Sequence, residues 1–255
     1  MTESGRSSGV AERDDRERAL PVLDPATLDA GKAEPDSSAT APDSAGDARV
    51  GGLLLAAGTS DRYGEANKLL ASAAGDPVVW HAARTLCVAP VSPVTVVVGH
   101  EADRVRDALD GLAVETVDVA GTGATAEPID GEPALSASLR RGIAALPDVD
   151  AVVIALGDMP AVAPASVRAL VRAYRAGAGS ALAAAHEGVR GNPVLFDRRH
   201  FDRLAAVDGD RGGRAVLRDT PDAALVETGD PGVLADVDRP DDLRRVAALL
   251  ADRAE

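Results

Sequence analysis

Short β-branched runs, set at regular intervals among helical patterns, constrain this chain more than any other feature. Val94–Val98 reads VTVVV and Ala151–Leu156 reads AVVIAL. Such runs are too short for buried helices and too uniformly apolar for strands with one wet face. Val50–Ala56 (VGGLLLA), Val114–Val119 and Ser180–Ala185 are further strand candidates. Helical patterns fill the gaps at 78–88, 101–112, 135–146, 166–176 and 239–253. In the second of these, Val105, Leu109 and Leu112 share one face of an otherwise polar segment, as in an amphipathic helix. Strands alternating with helices in this way predict an α/β protein with parallel pairing, a three-layer αβα sandwich. Aromatic residues are only 2% of the chain, so Val, Leu, Ile and Ala must fill its core.

Residues 1–49 do not follow this pattern. Ser, Asp, Glu, Pro and Ala dominate there, and the stretch Ala39–Asp47 (ATAPDSAGD) is linker-like. The expectation is a disordered acidic tail before one domain of residues 50–255. A transient helix over Ala19–Ala30 and a start codon set too far upstream are the alternatives. The N-terminus lacks a signal pattern and no apolar run is long enough to span a membrane, so a cytoplasmic protein is expected. The lone Cys87 excludes an internal disulfide and a multi-cysteine zinc site.

The net charge of −14 disfavours nucleic acid and anionic membranes as partners. The basic residues are nearly all arginine, with lysine only at positions 32 and 68. Acidic excess with scarce lysine reads as salt adaptation, and a GC-rich coding bias gives the same pattern. Under either bias Lys68 stands out, because it is the only lysine in the expected domain.

In open parallel sheets, ligands bind beyond the carboxyl ends of the strands. The first strand runs into Leu55-Ala56-Ala57-Gly58-Thr59-Ser60-Asp61-Arg62-Tyr63-Gly64, and Asn67-Lys68-Leu69-Leu70 follows. Small residues let the backbone approach a phosphate chain, and successive N–H groups can cradle it. Arg62 and Lys68 bring two cations to the same loop, as a triphosphate requires. A tight strand-to-helix turn with solvated cations is the plain alternative. The loop matches neither a Walker A motif nor a dinucleotide fingerprint.

Directly after AVVIAL come Gly157-Asp158-Met159-Pro160. A carboxylate at that strand end faces the ligand crevice, and Mg²⁺ prefers one or two carboxylates plus phosphate oxygens. Further on, Asp236-Val237-Asp238 precedes Arg239-Pro240-Asp241-Asp242-Leu243. Locally this reads as a helix entry with Asp238 as N-cap and Pro240 near the first turn. The alternation also places Asp236 and Asp238 on one side of an extended segment. The four histidines are scattered and form no recognisable nucleophile motif.

Taken together, these motifs resemble the molybdenum cofactor cytidylyltransferases of the MobA-like NTP transferase family, from residue 51 to about 250. The loop is similar to L-A-A-G-x-S-x-R-[aromatic or Met]-G…K, Asp158 falls in a G-D-x-P motif, and the third motif resembles D-[IV]-D-T-P, with Arg239 in place of Thr. The resemblance implies a Rossmann-like nucleotide-diphospho-sugar transferase fold, an NTP substrate and Mg²⁺. It implies that Asp158, with Asp236 or Asp238, holds the metal, and that Arg62 and Lys68 are catalytic. Leu55, Ala56, Ala57, Gly58, Thr59, Ser60, Ser138 and Leu139 would then lie at the nucleotide. Gly191, Asn192, Pro193, Asp210 and Arg214 would lie at a molybdopterin-type acceptor, with Asn192 where members often carry His. The L-A-A-G wording is that of cytidylyl members and so implies CTP. Guanylyl members tend to L-A-G-G. Expected partners are therefore an NTP, that acceptor, and a molybdoenzyme or its chaperone, with the protein a monomer or weak homo-oligomer. The rival readings are a related transferase using GTP or another acceptor, a homologue acting in oxidoreductase maturation without turnover, and a non-catalytic nucleotide-binding module.

Overall fold

The buried runs assemble into one central sheet. The structure is a computed structural model that describes residues 20–24, 47–58, 63, 66–119, 135–206 and 213–253. Along the chain the elements are β1 (Val22–Leu23), β2 (Val50–Ala56), a small hairpin of β3 (Ser72–Ala73) and β4 (Asp76–Pro77), α1 (Val78–Cys87), β5 (Val94–Val98), α2 (Ala102–Ala108), β6 (Glu115–Asp118), α3 (Leu135–Ala145), β7 (Ala151–Leu156), α4 (Pro164–Arg175), β8 (Ala181–His186), β9 (Val189–Asp197), α5 (Phe201–Ala205), α6 (Arg214–Arg218), β10 (Ala223–Glu227) and α7 (Asp242–Ala251). Eight strands form the sheet in the order β1-β10-β8-β9-β7-β2-β5-β6.

Alternate residues of the central strands face opposite helical layers, and both layers are dry. Leu54 and Ala56 of β2 share a buried cluster with Leu86 of α1, Val105 of α2 and Leu170 of α4. Leu53 and Leu55 share the other with Leu139 of α3, Leu204 of α5 and Leu217 of α6. This is the expected three-layer sandwich, with strands buried on both faces. Gly142 lets α3 lie close against the sheet, since a Cβ there would come within 2.5 Å of a Leu53 methyl.

Three expectations change. Pairing is not all parallel, because β9 runs antiparallel to both β7 and β8. The chain reverses after β8 through Glu187 and Gly188, both at positive φ (51° and 75°), a turn that sends it straight back along its neighbour. The closing helix begins at Asp242, and Asp238 is not its cap. The Asp242 carboxylate instead reaches back to accept from the backbone N–H groups of Asp238 (3.0 Å) and Arg239 (2.8 Å). Finally, part of the segment expected to lack structure is a strand and not a helix. Val22 and Leu23 pair in parallel with Leu225 and Val226 of β10. The N–H of Leu225 donates to the Pro21 carbonyl (2.8 Å), and Leu20 and Leu23 pack on opposite sheet faces. Without β1, the edge of β10 would be unpaired.

Removing residues 1–46 should therefore lower the melting temperature. The expected fall is roughly 2–8 °C, each lost kcal/mol being worth about 2–4 °C in a domain of this size. Calorimetry on the shortened and full chains checks this, and equal melting temperatures would show that β1 contributes nothing.

Candidate active site

The sheet changes direction of growth between β2 and β7. From β2 the chain adds β5 and then β6 on one side, and then returns to place β7 on the other side of β2. Such a switch leaves a crevice at the carboxyl ends of the two strands. Ala57 and Gly58 leave β2 there, and Gly157 and Asp158 leave β7. Gly58 is exposed, and a Cβ added to it would meet no atom of the described residues within 4 Å. Gly99, at the end of neighbouring β5, lies so close to this loop that a Cβ would fall 2.8 Å from that of Ala57.

Lys68 begins a short 3₁₀ turn, Lys68–Leu70, beyond the loop. Buried Asn67 fixes the turn by accepting from the Leu69 N–H (3.0 Å), while Leu69 anchors it in the core. The Lys68 side chain is thereby carried to the end of β7. Its Nζ donates to Asp158 Oδ2 at 2.6 Å and to Asp238 Oδ1 at 2.9 Å. Lys68 is only 15% exposed and Asp158 22%, so solvent screens this contact far less than a surface pair. Burial alone would lower the pKa of the Lys68 ammonium. The two carboxylates, Asp158 foremost, outweigh it and hold the pKa above its ordinary value.

Asp238 reaches this point because residues 231–238 run beside the turn after β7. The Val237 N–H donates to the Asp158 carbonyl at 2.9 Å. Ala235 and Val237 are buried, and between and beyond them Asp236 and Asp238 turn outward, as the D-V-D alternation predicts. Burial pushes the Asp236 carboxyl above its ordinary pKa, and the negative charges of Asp238 and Asp158 add to the rise. Asp230 secures the near end of this segment. Its carboxylate accepts from the N–H groups of Ala163 (2.7 Å) and Gly232 (2.9 Å), the Ser166 hydroxyl (2.8 Å) and Arg253 (2.5 Å).

The approach is so close at Gly232 that a Cβ there would collide with the Ala161 carbonyl oxygen. Gly232→Ala should therefore cost about 3 kcal/mol, at the upper end of overpacking penalties. It should also draw Asp236 and Asp238 away from Asp158. Gly58→Ala, whose Cβ would meet no described residue, should leave the melting temperature unchanged. Thermal unfolding of the two variants separates them, and equal stability would contradict the tight approach.

The remaining site candidates are more dispersed. Leu55 and Ala56 are buried in β2, and Leu139 is enclosed in the α3 layer beside buried Ser138. Gly191, Asn192 and Pro193 lie at the crevice end of β9, past the last β7 pair at Ile154 and Val194, where the pairing with β8 shifts register. Gly191 packs directly under the Val233 carbonyl, which ties this stretch to the segment leading to Asp236. Arg214 opens α6, in the layer opposite the Lys68 turn. Thr59, Ser60, Arg62 and Asp210 lie outside the described residues. Sequence reasoning assigned no role to Asn67, whose capping of the turn is legible only as an Asn before a short apolar run. Nor did it give one to Arg245, which donates to the Asp236 carbonyl at 3.3 Å.

A part-buried lysine and a carboxylate pair thus meet at the switch point, beside the backbone of Gly58. The sequence pattern of the MobA-like NTP transferase domain matches residues 52–225. The chain belongs to the MobA-like NTP transferase family. As a member it is a nucleotidyltransferase, and its solved neighbours have the same type of fold. A nucleotidyl transferase from Methanothermobacter thermautotroptrophicus is 26% identical with a TM-score of 0.65, over 80% of this chain and 99% of that one. Rv0371c from Mycobacterium tuberculosis H37Rv, in complex with manganese, is 28% identical with a TM-score of 0.62, over 78% and 98% of the two chains. Nicotine blue oxidoreductase from Paenarthrobacter nicotinovorans is 29% identical over 206 residues, which are 77% of this chain and 96% of that protein. Among the described residues of this MobA-like transferase, no helix is long and apolar enough to cross a membrane.

Proposed function

We propose that this transferase moves CMP from CTP to the terminal phosphate of molybdopterin and releases pyrophosphate. The observation that carries this reading is the convergence of Lys68 with Asp158 and Asp238 at the crevice between β2 and β7. An acceptor phosphate oxygen attacks the α-phosphorus. One P–O bond forms, the bond to the β-phosphate oxygen breaks, and pyrophosphate leaves with that electron pair. A phosphate is anionic at neutral pH and needs little help from a base. Catalysis is then positioning and charge stabilisation. The backbone at Gly58 to Ser60 would cradle the triphosphate, and Lys68 and Arg62 would offset its charge. Gly191 to Pro193, Asp210 and Arg214 would hold the acceptor. The L-A-A-G wording at Leu55–Gly58 supports cytosine over guanine.

Among the described residues, no three acidic, His or Cys side chains already surround one metal point. The donor chemistry nonetheless fits a hard divalent cation. Asp158 and Asp238 already converge on one cationic atom, with Asp236 close enough for its carboxyl to respond to both. Mg²⁺ would be held by Asp158 with Asp236 or Asp238, and would supply Lewis-acid neutralisation of the charge that develops on the phosphates. The manganese in Rv0371c supports a divalent ion here.

The test supplies each of the four NTPs with molybdopterin and Mg²⁺ and measures pyrophosphate. CTP should be preferred. Preference for GTP would replace the base, and no release from any NTP would remove the reading.

The similarity to nicotine blue oxidoreductase, which spans 96% of that protein, favours a second reading as an oxidoreductase. Bleaching of nicotine blue by the protein with a reduced nicotinamide, without pyrophosphate release, would select it.

A further inference from the structure

The acidic cluster already contains a cation. Lys68 Nζ lies 2.6 Å from Asp158 and 2.9 Å from Asp238, two carboxylates that come from separate parts of the chain. We propose that Lys68 is the resident counter-ion of this cluster, and that a divalent cation binds there only by displacing it. The inference rests on the proposed metal site but not on the identity of the nucleotide or the acceptor.

Spacing and charge carry the argument. Distances of 2.6 and 2.9 Å suit N–H···O bonds. Magnesium–oxygen distances are about 2.0–2.1 Å, so an ion held by Asp158 and Asp238 would lie within a few ångströms of an ammonium held by the same two carboxylates. Two cations at that separation repel strongly where water is scarce. The lysine can give way without unfolding its surroundings. Its backbone is fixed by the Asn67 contact and by buried Leu69, while its four-carbon stem is flexible. Phosphate oxygens nearby would offer the displaced ammonium new acceptors. An anionic ligand and the metal would then assist one another through this side chain, each to the same extent.

Two measurements test the competition without reading turnover, so failure here is separate from failure of CMP transfer. In the first, the full chain and its Lys68→Met variant are titrated with Mn²⁺ in the absence of nucleotide, and the electron paramagnetic resonance signal of free Mn²⁺ is followed. The variant should bind about tenfold tighter or more, since no charge-assisted contact has to be broken first. Equal or weaker binding would overturn the proposal. The second needs no substitution and exploits the scarcity of lysine. With only Lys32 and Lys68 in the chain, lysine labelled at the side-chain ammonium gives two resonances. Without ligand the Lys68 signal should stand apart from that of Lys32, and it should move in step with Mg²⁺ occupancy. A Lys68 signal that stays in place while the metal binds, or that coincides with Lys32 from the outset, would contradict displacement.

Discussion

Asp158→Asn is expected to reduce pyrophosphate release by about 10²-fold or more, the scale seen when one preorganised electrostatic element is removed from a transfer site. The substitution keeps volume and shape. Its amide oxygen can still accept from Lys68, and Asp238 keeps its own contact with that lysine at 2.9 Å. One negative charge leaves a cluster in which Asp236 is already disfavoured as an anion by burial, Asp238 and Asp158. Loss of the Lys68 ion pair and relief of repulsion therefore oppose each other, and stability without metal should change by less than about 1 kcal/mol. Activity and folding thus separate. Melting temperatures without metal, followed by pyrophosphate release across a Mg²⁺ titration, check both. A variant that unfolds while its folded fraction keeps normal metal dependence would make Asp158 a structural residue.

Lys68→Ala acts in both respects. Losing a donor to the phosphates should slow transfer by about 10²-fold, or roughly 3 kcal/mol. It should also destabilise the nucleotide-free protein, because Asp158 and Asp238 then lose the cation between them. A part-buried group that loses a charged partner typically costs about 1–3 kcal/mol. In a domain of this size that is a fall of roughly 2–12 °C. Lys68→Arg should recover the stability better than the rate, since a planar fork cannot occupy a point-charge position equally well. Turnover and thermal unfolding of both variants check this. Unchanged turnover in Lys68→Ala would remove the lysine from the chemistry.

Much of the fold is written in local pattern. β2, β5 and β7 have the boundaries read from their apolar runs because strands buried on both faces have no solvent-facing row to interrupt them. β9 shows no such signal. Gly191, Asn192 and Pro193 interrupt it, and it is held in the sheet by two neighbours and not by its own propensity. β1 is two residues long, too short for any periodicity, and exists because β10 offers an edge. The site divides in the same way. Asp158 is legible as a carboxylate ending a buried strand, and the D-V-D alternation foretells which side Asp236 and Asp238 take. That Lys68 sits between two of these carboxylates is not legible. Its partners are 90 and 170 residues away, and only the order of strands brings them together.

The central claim is that the α-phosphate of an NTP moves at this site. It is tested most directly with CTP carrying its radioactive label at either the α- or the γ-phosphate, incubated with molybdopterin and Mg²⁺. The α-label should appear on the acceptor, the γ-label should leave entirely in pyrophosphate, and Asp158→Asn should cut the first by about 10²-fold or more without unfolding. Transfer of γ-label to the acceptor, or no label on it from either nucleotide, would contradict the account.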